Sequence, residues 1–255
     1  MYMGAFVSMM QSNSGQSECA IGINPDSPDW TTLFARLTRF GDERIVAGDF
    51  SGYDSSLPNW AVESYIRIVN NWYNDDSDNQ LIRANLIRAT MTRMHIVNGV
   101  CHFRGYGNCS GVADTAPRNC IILSLIFRLA FKSLFPKLSF RQNVELSVYG
   151  DDNVAGVSDE IDGFTMKYLE TYFKRLGMTY TTPDKSDISC DFFNINQVSY
   201  LKRLFVPHED GWVRAPFDKD ETFSCLRYSS KDGSDPYFLE QLIDASLKAV
   251  AQEGK

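Results

Sequence analysis

The chain has 255 residues, 44% hydrophobic and 22% charged, a balance that belongs to a globular protein with ample core. Its net charge of -7 gives no global basic footprint for nucleic acid, so any such binding has to be carried by a local groove. The six cysteines form no Cys-x-x-Cys pair, which argues against a zinc site or disulfide framework and for a reducing intracellular setting. No signal peptide opens the chain, and no apolar run approaches the ~20 residues of a membrane span.

Residues 1–10 are apolar and uncapped, which predicts continuation from a longer chain, and residues 11–18 read as a polar loop. Leu33, Phe34 and Leu37 give helical spacing over 29–40, with a cap near Asp29. Residues 44–50 form a short buried strand ending in a carboxylate, Asp49. A turn leads to a helix with Pro58 in its first turn and Val62, Tyr65, Ile66, Val69 and Trp72 on one face. The acidic run from Asp75 to Asn79 lacks the glycine and distant glutamate of a calcium loop and reads as a solvated loop. A helix over 81–94 and a hairpin over 95–103, turning at Asn98-Gly99, follow.

A glycine-rich loop, 105–111, feeds a helix over 115–132 with Ile122, Leu125, Ile126 and Leu129 inward. Val144, Leu146 and Val148 then alternate with Glu145, Ser147 and Tyr149, the period of a half-buried strand. Gly150-Asp151-Asp152-Asn153 supplies a turn, and 154–157 resumes an apolar run: a hairpin with two adjacent carboxylates at its tip. Phe164, Tyr168, Leu169, Tyr172, Phe173 and Leu176 form a helical stripe that Gly177 should end. A strand at 178–182, a loop at 183–186, a strand or hairpin at 196–206 and a short helix at 218–228 follow. Ser234 caps a last helix with Leu239, Leu242, Ile243, Leu247 and Val250 inward. Helices interleaved with hairpins, rather than regular βαβ units, predict an α+β fold.

Two strands therefore end in aspartate, at Asp49 and at Asp151-Asp152. If they are sheet neighbours, three carboxylates converge. Such hard oxygen ligands suit Mg²⁺, with Mn²⁺ as the alternative, and two ions there would clamp both oxygens of a phosphoryl transfer.

The ordered set Asp49-Phe50-Ser51-Gly52-Tyr53-Asp54, Ser110-Gly111-x-x-x-Thr115-x-x-x-Asn119 and Tyr149-Gly150-Asp151-Asp152 resembles the palm of the RNA-dependent RNA polymerases of picornavirus-like positive-strand RNA viruses. Pro183-Asp184-Lys185-Ser186 and Tyr200-Leu201-Lys202-Arg203 resemble the two palm motifs that follow, so the likeness covers most of the chain. It implies a palm whose antiparallel sheet packs on helices, with partial fingers and the start of a thumb: 1–40 linked to the fingers, 41–206 the palm, 207–255 the beginning of the thumb.

The resemblance assigns roles. Asp49 and Asp151 would hold metal, with the Phe50 carbonyl as a further ligand and Asp152 as the second, weaker carboxylate. Asp54 and Asn119 would sense the ribose 2′-hydroxyl, the group that separates RNA from DNA. Ser110, Gly111 and Thr115 would position template and nucleotide; outside the resemblance they read as ordinary helix capping. Lys185 would protonate the pyrophosphate, and Lys202 and Arg203 would hold primer phosphate without sequence preference. Where the family commonly has a small residue, this chain has Asp114, which puts loop charge in question. The basic fingers segment that holds the triphosphate is not among these residues, nor is a full thumb, so the chain reads as part of a longer polymerase.

The implied activity is transfer of ribonucleotides from NTP to an RNA 3′-hydroxyl by two-metal catalysis. The implied partners are template and primer RNA, NTPs and other parts of a viral polyprotein, in the host cytoplasm or at membrane-associated replication complexes. Two rivals remain. A reverse transcriptase would place an aromatic gate at Asp54 and a hydrophobic residue at Gly150; a non-catalytic palm fragment would bind RNA or protein without turnover.

Overall fold

The structure, a computed structural model, describes residues 2–109, 111–217 and 236–251. The apolar beginning is a helix, α1 (Gly4–Ser12), which buries Phe6 and Met10. Helix α2 (Pro28–Leu37) is capped two residues before the expected Asp29: the Ser27 side chain accepts from the Asp29 N–H, and Pro28, which has no N–H to lose, takes the first position. Strand β1 (Ile45–Ser51) then leads through Gly52, at φ 64°, into the short α3 (Tyr53–Ser56). Helix α4 (Asn59–Tyr73) has Pro58 at its N-cap in an extended conformation rather than inside its first turn.

The acidic run is loop only through Asp76, and from Ser77 it is helix. The Asp76 side chain accepts from the Asp78 and Asn79 N–H groups and caps α5 (Ser77–Met91), while Asp75 pairs with the buried Arg83. Strands β2 (Thr92–Val97) and β3 (Val100–Tyr106) make the expected hairpin, with Asn98 and Gly99 both at positive φ (51° and 77°) as a two-residue primed turn requires. Next come α6 (Thr115–Leu134), α7 (Phe140–Asn143), β4 (Val144–Tyr149), β5 (Asp152–Val157) and α8 (Met166–Arg175), which Thr165 caps. Strand β6 (Thr179–Thr181), the small pair β7 (Val206–Pro207) and β8 (Val213–Arg214), and α9 (Pro236–Ala251) complete the described elements.

Four of these strands form one antiparallel sheet in the order β4-β5-β1-β6. Because side chains alternate along a strand, the sheet has two covered faces. Val46, Phe50, Leu146, Val148, Ala155 and Val157 pack with α4, α6 and α8 in one core. Ile45, Ala47 and Val154 face the other way, with Trp30, Leu33 and Leu37 of α2 and with Tyr200 and Phe205. This matches the α+β expectation.

Burial departs from the expected helix faces in three places. Trp72 and Leu129 are 42% and 44% exposed, and α6 buries Leu123 and Phe127 instead. On α9, Ile243, Leu247 and Val250 are exposed while Ser246 is buried. Helices α4 and α6 otherwise bury the expected residues, Val62, Tyr65, Ile66 and Val69 on one and Ile122 and Ile126 on the other, whereas α9 turns most of its apolar stripe outward. The expected helix at 218–228 and the Ser234 cap lie outside the described residues.

The free edge of β4 is covered by the segment before α2: Val148 N–H donates to Glu18 O (2.8 Å) and Ala20 N–H to Val148 O (2.9 Å). The Glu18 carboxylate accepts from Ser124 (2.7 Å) and Arg128 (2.8 Å). Burial pushes its pKa up, but the Arg128 and Ser124 bonds outweigh it and hold it below the usual 4.5. A depressed carboxylate gives stability that is present above the unfolded value and lost as pH falls through the folded one. Glu18→Gln is therefore expected to lower the melting temperature at pH 7 and to leave a smaller drop between pH 7 and pH 4 than the parent shows. Parallel melting curves against pH for the two proteins would remove this edge contact from the acid sensitivity.

Candidate active site

Strand β1 carries Asp49 to the level of the β4–β5 turn. Gly48 pairs with Asn153, so the antiparallel register puts Asp49 opposite Asp152, while on its other side Asp49 pairs with Thr181 of β6. Tyr149 and Asp152 close the hairpin, and Gly150 takes φ 65°, the left-handed region open to glycine. The electrostatics agree with the register. Burial, then repulsion from Asp49 and Asp151, pushes Asp152 up to about 6, with Lys185 and Lys202 pulling the other way. Burial also raises Asp151, with Asp49 and Asp54 adding to it against its own backbone bonds.

Three side chains pin the turn from behind, and none was foreseen. Asn153 Nδ2 donates to Gly48 O (2.9 Å) and Asp151 O (3.1 Å), and its Oδ1 accepts from the buried Tyr180 hydroxyl (2.7 Å). Cys120 Sγ accepts from Gly150 N–H at 3.2 Å. The only signal for Asn153 was its place after two aspartates, where strand alternation turns it inward. Cys120 carried none, because its contact is with backbone 30 residues away.

Lys185 sits at φ 65° on a tight turn in which the Ser186 N–H and hydroxyl donate to Asp184 Oδ1. Its ammonium lies 3.8 Å from Asp49 Oδ2, although the side chain is 78% exposed, so the pair contributes little to stability. Leu201 and Lys202, both at positive φ, form a two-residue turn closed by reciprocal Tyr200–Arg203 backbone bonds of 2.9 and 3.0 Å. That is the hairpin expected at 196–206, reduced to a single bridge behind a 3₁₀ turn at Ile195–Gln197. Lys202 stands within electrostatic reach of Asp152. Arg203 belongs to another set of contacts: it donates to Ala215 O (2.8 Å), lies over the Phe217 ring (4.0 Å) and is 3.6 Å from Asp26.

Beside the carboxylates, Asn119 Nδ2 donates to Asp54 Oδ1 at 2.9 Å, and the Tyr53 hydroxyl donates to Asn119 O at 3.2 Å. Thr115 donates to Cys109 O (2.8 Å) at the start of α6, and Gly111 takes φ 90°. Ser110 lies outside the described residues. Asp114 brings no loose charge to the loop, since it is buried and paired with Arg118.

Among the described residues, no three His, Cys, Asp or Glu side chains close into a metal cage. The donor set nevertheless fits a hard divalent cation. Two of the carboxylates are raised by burial and mutual repulsion, a demand for positive charge that Lys185 and Lys202 meet only in part. Mg²⁺ in particular is usually held by one or two carboxylates plus water and substrate phosphate rather than by a full protein cage.

The viral RNA-dependent RNA polymerase family matches residues 1–255. The chain is 33% identical to the replicase polyprotein of acute bee paralysis virus (strain Rothamsted) over 220 residues, 80% of the chain and 12% of that protein. It is 32% identical to the RNA1 polyprotein of grapevine chrome mosaic virus over 250 residues, 94% of the chain and 11% of that protein. A solved Sicinivirus 3Dpol RNA-dependent RNA polymerase has the same fold, with a TM-score of 0.75 at 16% identity, over all of this chain and 56% of that one. The chain thus spans about a tenth of the curated polyproteins it matches, and it belongs to the viral RNA-dependent RNA polymerase family.

Proposed function

We propose that the chain is the palm-centred catalytic part of a polymerase that adds ribonucleotides from NTP to the 3′-hydroxyl of an RNA primer on an RNA template. The observation that carries this reading is the β1–β5 register, which sets Asp49 beside the Asp151-Asp152 turn. Asp49, Asp151 and Asp152, with the Phe50 carbonyl, would hold the divalent cation, for which Mg²⁺ is the best fit and Mn²⁺ the alternative. Bound there, it would supply charge stabilisation for the attacking and leaving oxygens.

The chain's own groups do the rest. Asp54 accepts and Asn119 donates at the ribose, so a 2′-hydroxyl can satisfy both. Ser110, Gly111 and Thr115 would border the template and nucleotide at the start of α6. Lys185, beside Asp49, would hold a proton for the leaving pyrophosphate. Lys202 is the cation of its turn nearest the carboxylates and would meet primer phosphate, with Arg203 behind it.

On the same reading, residues 1–40 join the fingers and 207–255 begin the thumb. The complete enzyme is released from a viral polyprotein and works in the host cytoplasm or on membrane-associated replication complexes. Among the described residues, no helix is long and apolar enough to cross a membrane.

In the complete polymerase, Asp54→Ala or Asn119→Ala is expected to narrow the NTP-over-dNTP preference by at least ~10-fold, because the remaining polar group is left unpaired at the ribose. Primer extension with paired NTP and dNTP, on RNA and DNA templates, reads this out. Unchanged discrimination would remove the ribose role, and preferential dNTP use would favour a reverse transcriptase.

A further inference from the structure

Behind the Asp54–Asn119 pair runs a buried chain of polar side chains. Asp114, Arg118, Asn108 and Asn119 are 4%, 1%, 2% and 6% exposed. Asp114 stands at the N-cap position of α6, yet its side chain caps nothing. Instead it accepts from Arg118 Nη2 (2.7 Å) and Nε (3.2 Å), and from the Tyr65 hydroxyl (3.1 Å). Arg118 Nη1 donates to Asn108 Oδ1 (3.1 Å). Asn108 Nδ2 donates to Asn119 Oδ1 (2.8 Å) and to Thr115 O (3.1 Å), and Asn119 Nδ2 donates to Asp54 Oδ1 (2.9 Å).

The direction of the bonds in this chain is set at both ends, by Arg118, which only donates, and by the Asp54 carboxylate, which only accepts. A side-chain amide can turn over and exchange its oxygen and nitrogen, so Asn119 alone does not decide which it shows to Asp54. A guanidinium has only donors. Arg118 therefore demands the oxygen of Asn108, which leaves the Asn108 nitrogen to meet the Asn119 oxygen. That in turn leaves the Asn119 nitrogen for Asp54. The Asp114 carboxylate holds Arg118 charged and in place. A buried ion pair is a weak source of stability compared with apolar residues of like volume, so its use here is better explained by the orientation it imposes.

We propose that Asn108, held by the Asp114–Arg118 pair, is a positioning residue for sugar selection: it fixes the Asn119 amide with its donor toward Asp54 and the incoming 2′-hydroxyl. This rests on the ribose reading of Asp54 and Asn119 and adds to it a determinant that touches neither substrate nor metal.

The test is Asn108→Asp in the complete polymerase, read by single-nucleotide incorporation. Asp at 108 keeps the shape and still accepts from Arg118, but it has no donor for Asn119 or Thr115 O, so two carboxylates compete for the Asn119 nitrogen and its hold on Asp54 is weakened. The expected result is a fall of about tenfold or more in kcat/KM for the ribonucleotide, with kcat/KM for the matching deoxynucleotide kept within about threefold. Asn108→Leu, which removes all three of these side-chain bonds and adds no charge, should move the ratio the same way and decides the matter if the aspartate variant does not fold. A parallel fall with both nucleotides would mark a purely structural role and overturn the proposal. So would an unchanged ratio in both Asn108 variants beside a collapsed ratio in Asn119→Ala. If Asn119→Ala and Asp54→Ala also keep the parental ratio, it is the ribose reading that fails, and this proposal falls with it.

Discussion

Replacing Asp151 with Asn in the complete polymerase is expected to slow nucleotide addition by more than ~10³, about 4 kcal/mol of barrier, without loss of fold. The substitution keeps shape and hydrogen-bonding size but removes one of the charges that would hold the cation. At a half-buried turn in the field of Asp49 and Asp54 and beside Asp152, that charge is poorly replaced by solvent. The two possible consequences have opposite signs, which makes the result readable. If the aspartates serve catalysis, the rate collapses. Their mutual repulsion is a cost to the folded state, so the same change should leave the melting temperature equal or higher. A rate within a few-fold of the parent, measured under single-turnover conditions with saturating Mg²⁺, would remove the metal assignment. A collapsed melting temperature would instead give the turn a structural purpose.

The site was legible because its key residues sit at strand ends and turns, where local pattern and chain position coincide. Asp49 closes an apolar run, and Asp151-Asp152 sits between two runs of period two, so both could be placed before their strands were known to pair. Their supports were not legible. Asn153, Tyr180 and Cys120 act on the turn through contacts across the sheet or to backbone far along the chain. Periodicity fixes which way a side chain faces, not what it meets. The same limit explains Asp114, whose charge is answered by Arg118 one helical turn later and by Tyr65 on another helix. It also explains the exposed end of the α6 stripe and the misassigned face of α9. Leu129 sits on the apolar stripe, but the structure places it at the surface, because tertiary packing and not spacing alone decides which arc of a helix is covered. The acidic balance misled less than it first suggested. Arg36, Arg39, Arg83, Arg118 and Arg128 are all tied to carboxylates within the fold, while among the described residues Lys185 and Lys202 are cations whose fields reach Asp152.

Gly48→Ala is expected to cost at least ~3 kcal/mol of stability and to disturb the site at the same time. A Cβ built on Gly48 would come within 2.5 Å of Thr181 O and 2.6 Å of Tyr180 Cε2, both closer than real contacts allow. One of these is backbone of the paired strand. The other is a fully packed ring, 3% exposed, wedged against Phe50 and Phe173 (centroids 4.7 and 4.9 Å). Neither can give by rotating a flexible end, so β6 has to move away from β1 where Asp49 and Thr181 pair. The movement would also pull the Tyr180 hydroxyl from Asn153, whose amide ties Gly48 to the Asp151 carbonyl. At ~2–4 °C per kcal/mol for a chain of this size, the melting temperature should fall by about 6–12 °C. Nucleotide addition, assayed well below that temperature, should fall as well, because the Asp49 strand and the Asp151-Asp152 turn lose their common anchor. Gly48→Ala with a parental melting temperature would show that β6 yields freely, and the rigid placement of Asp49 by its two neighbouring strands would then be wrong.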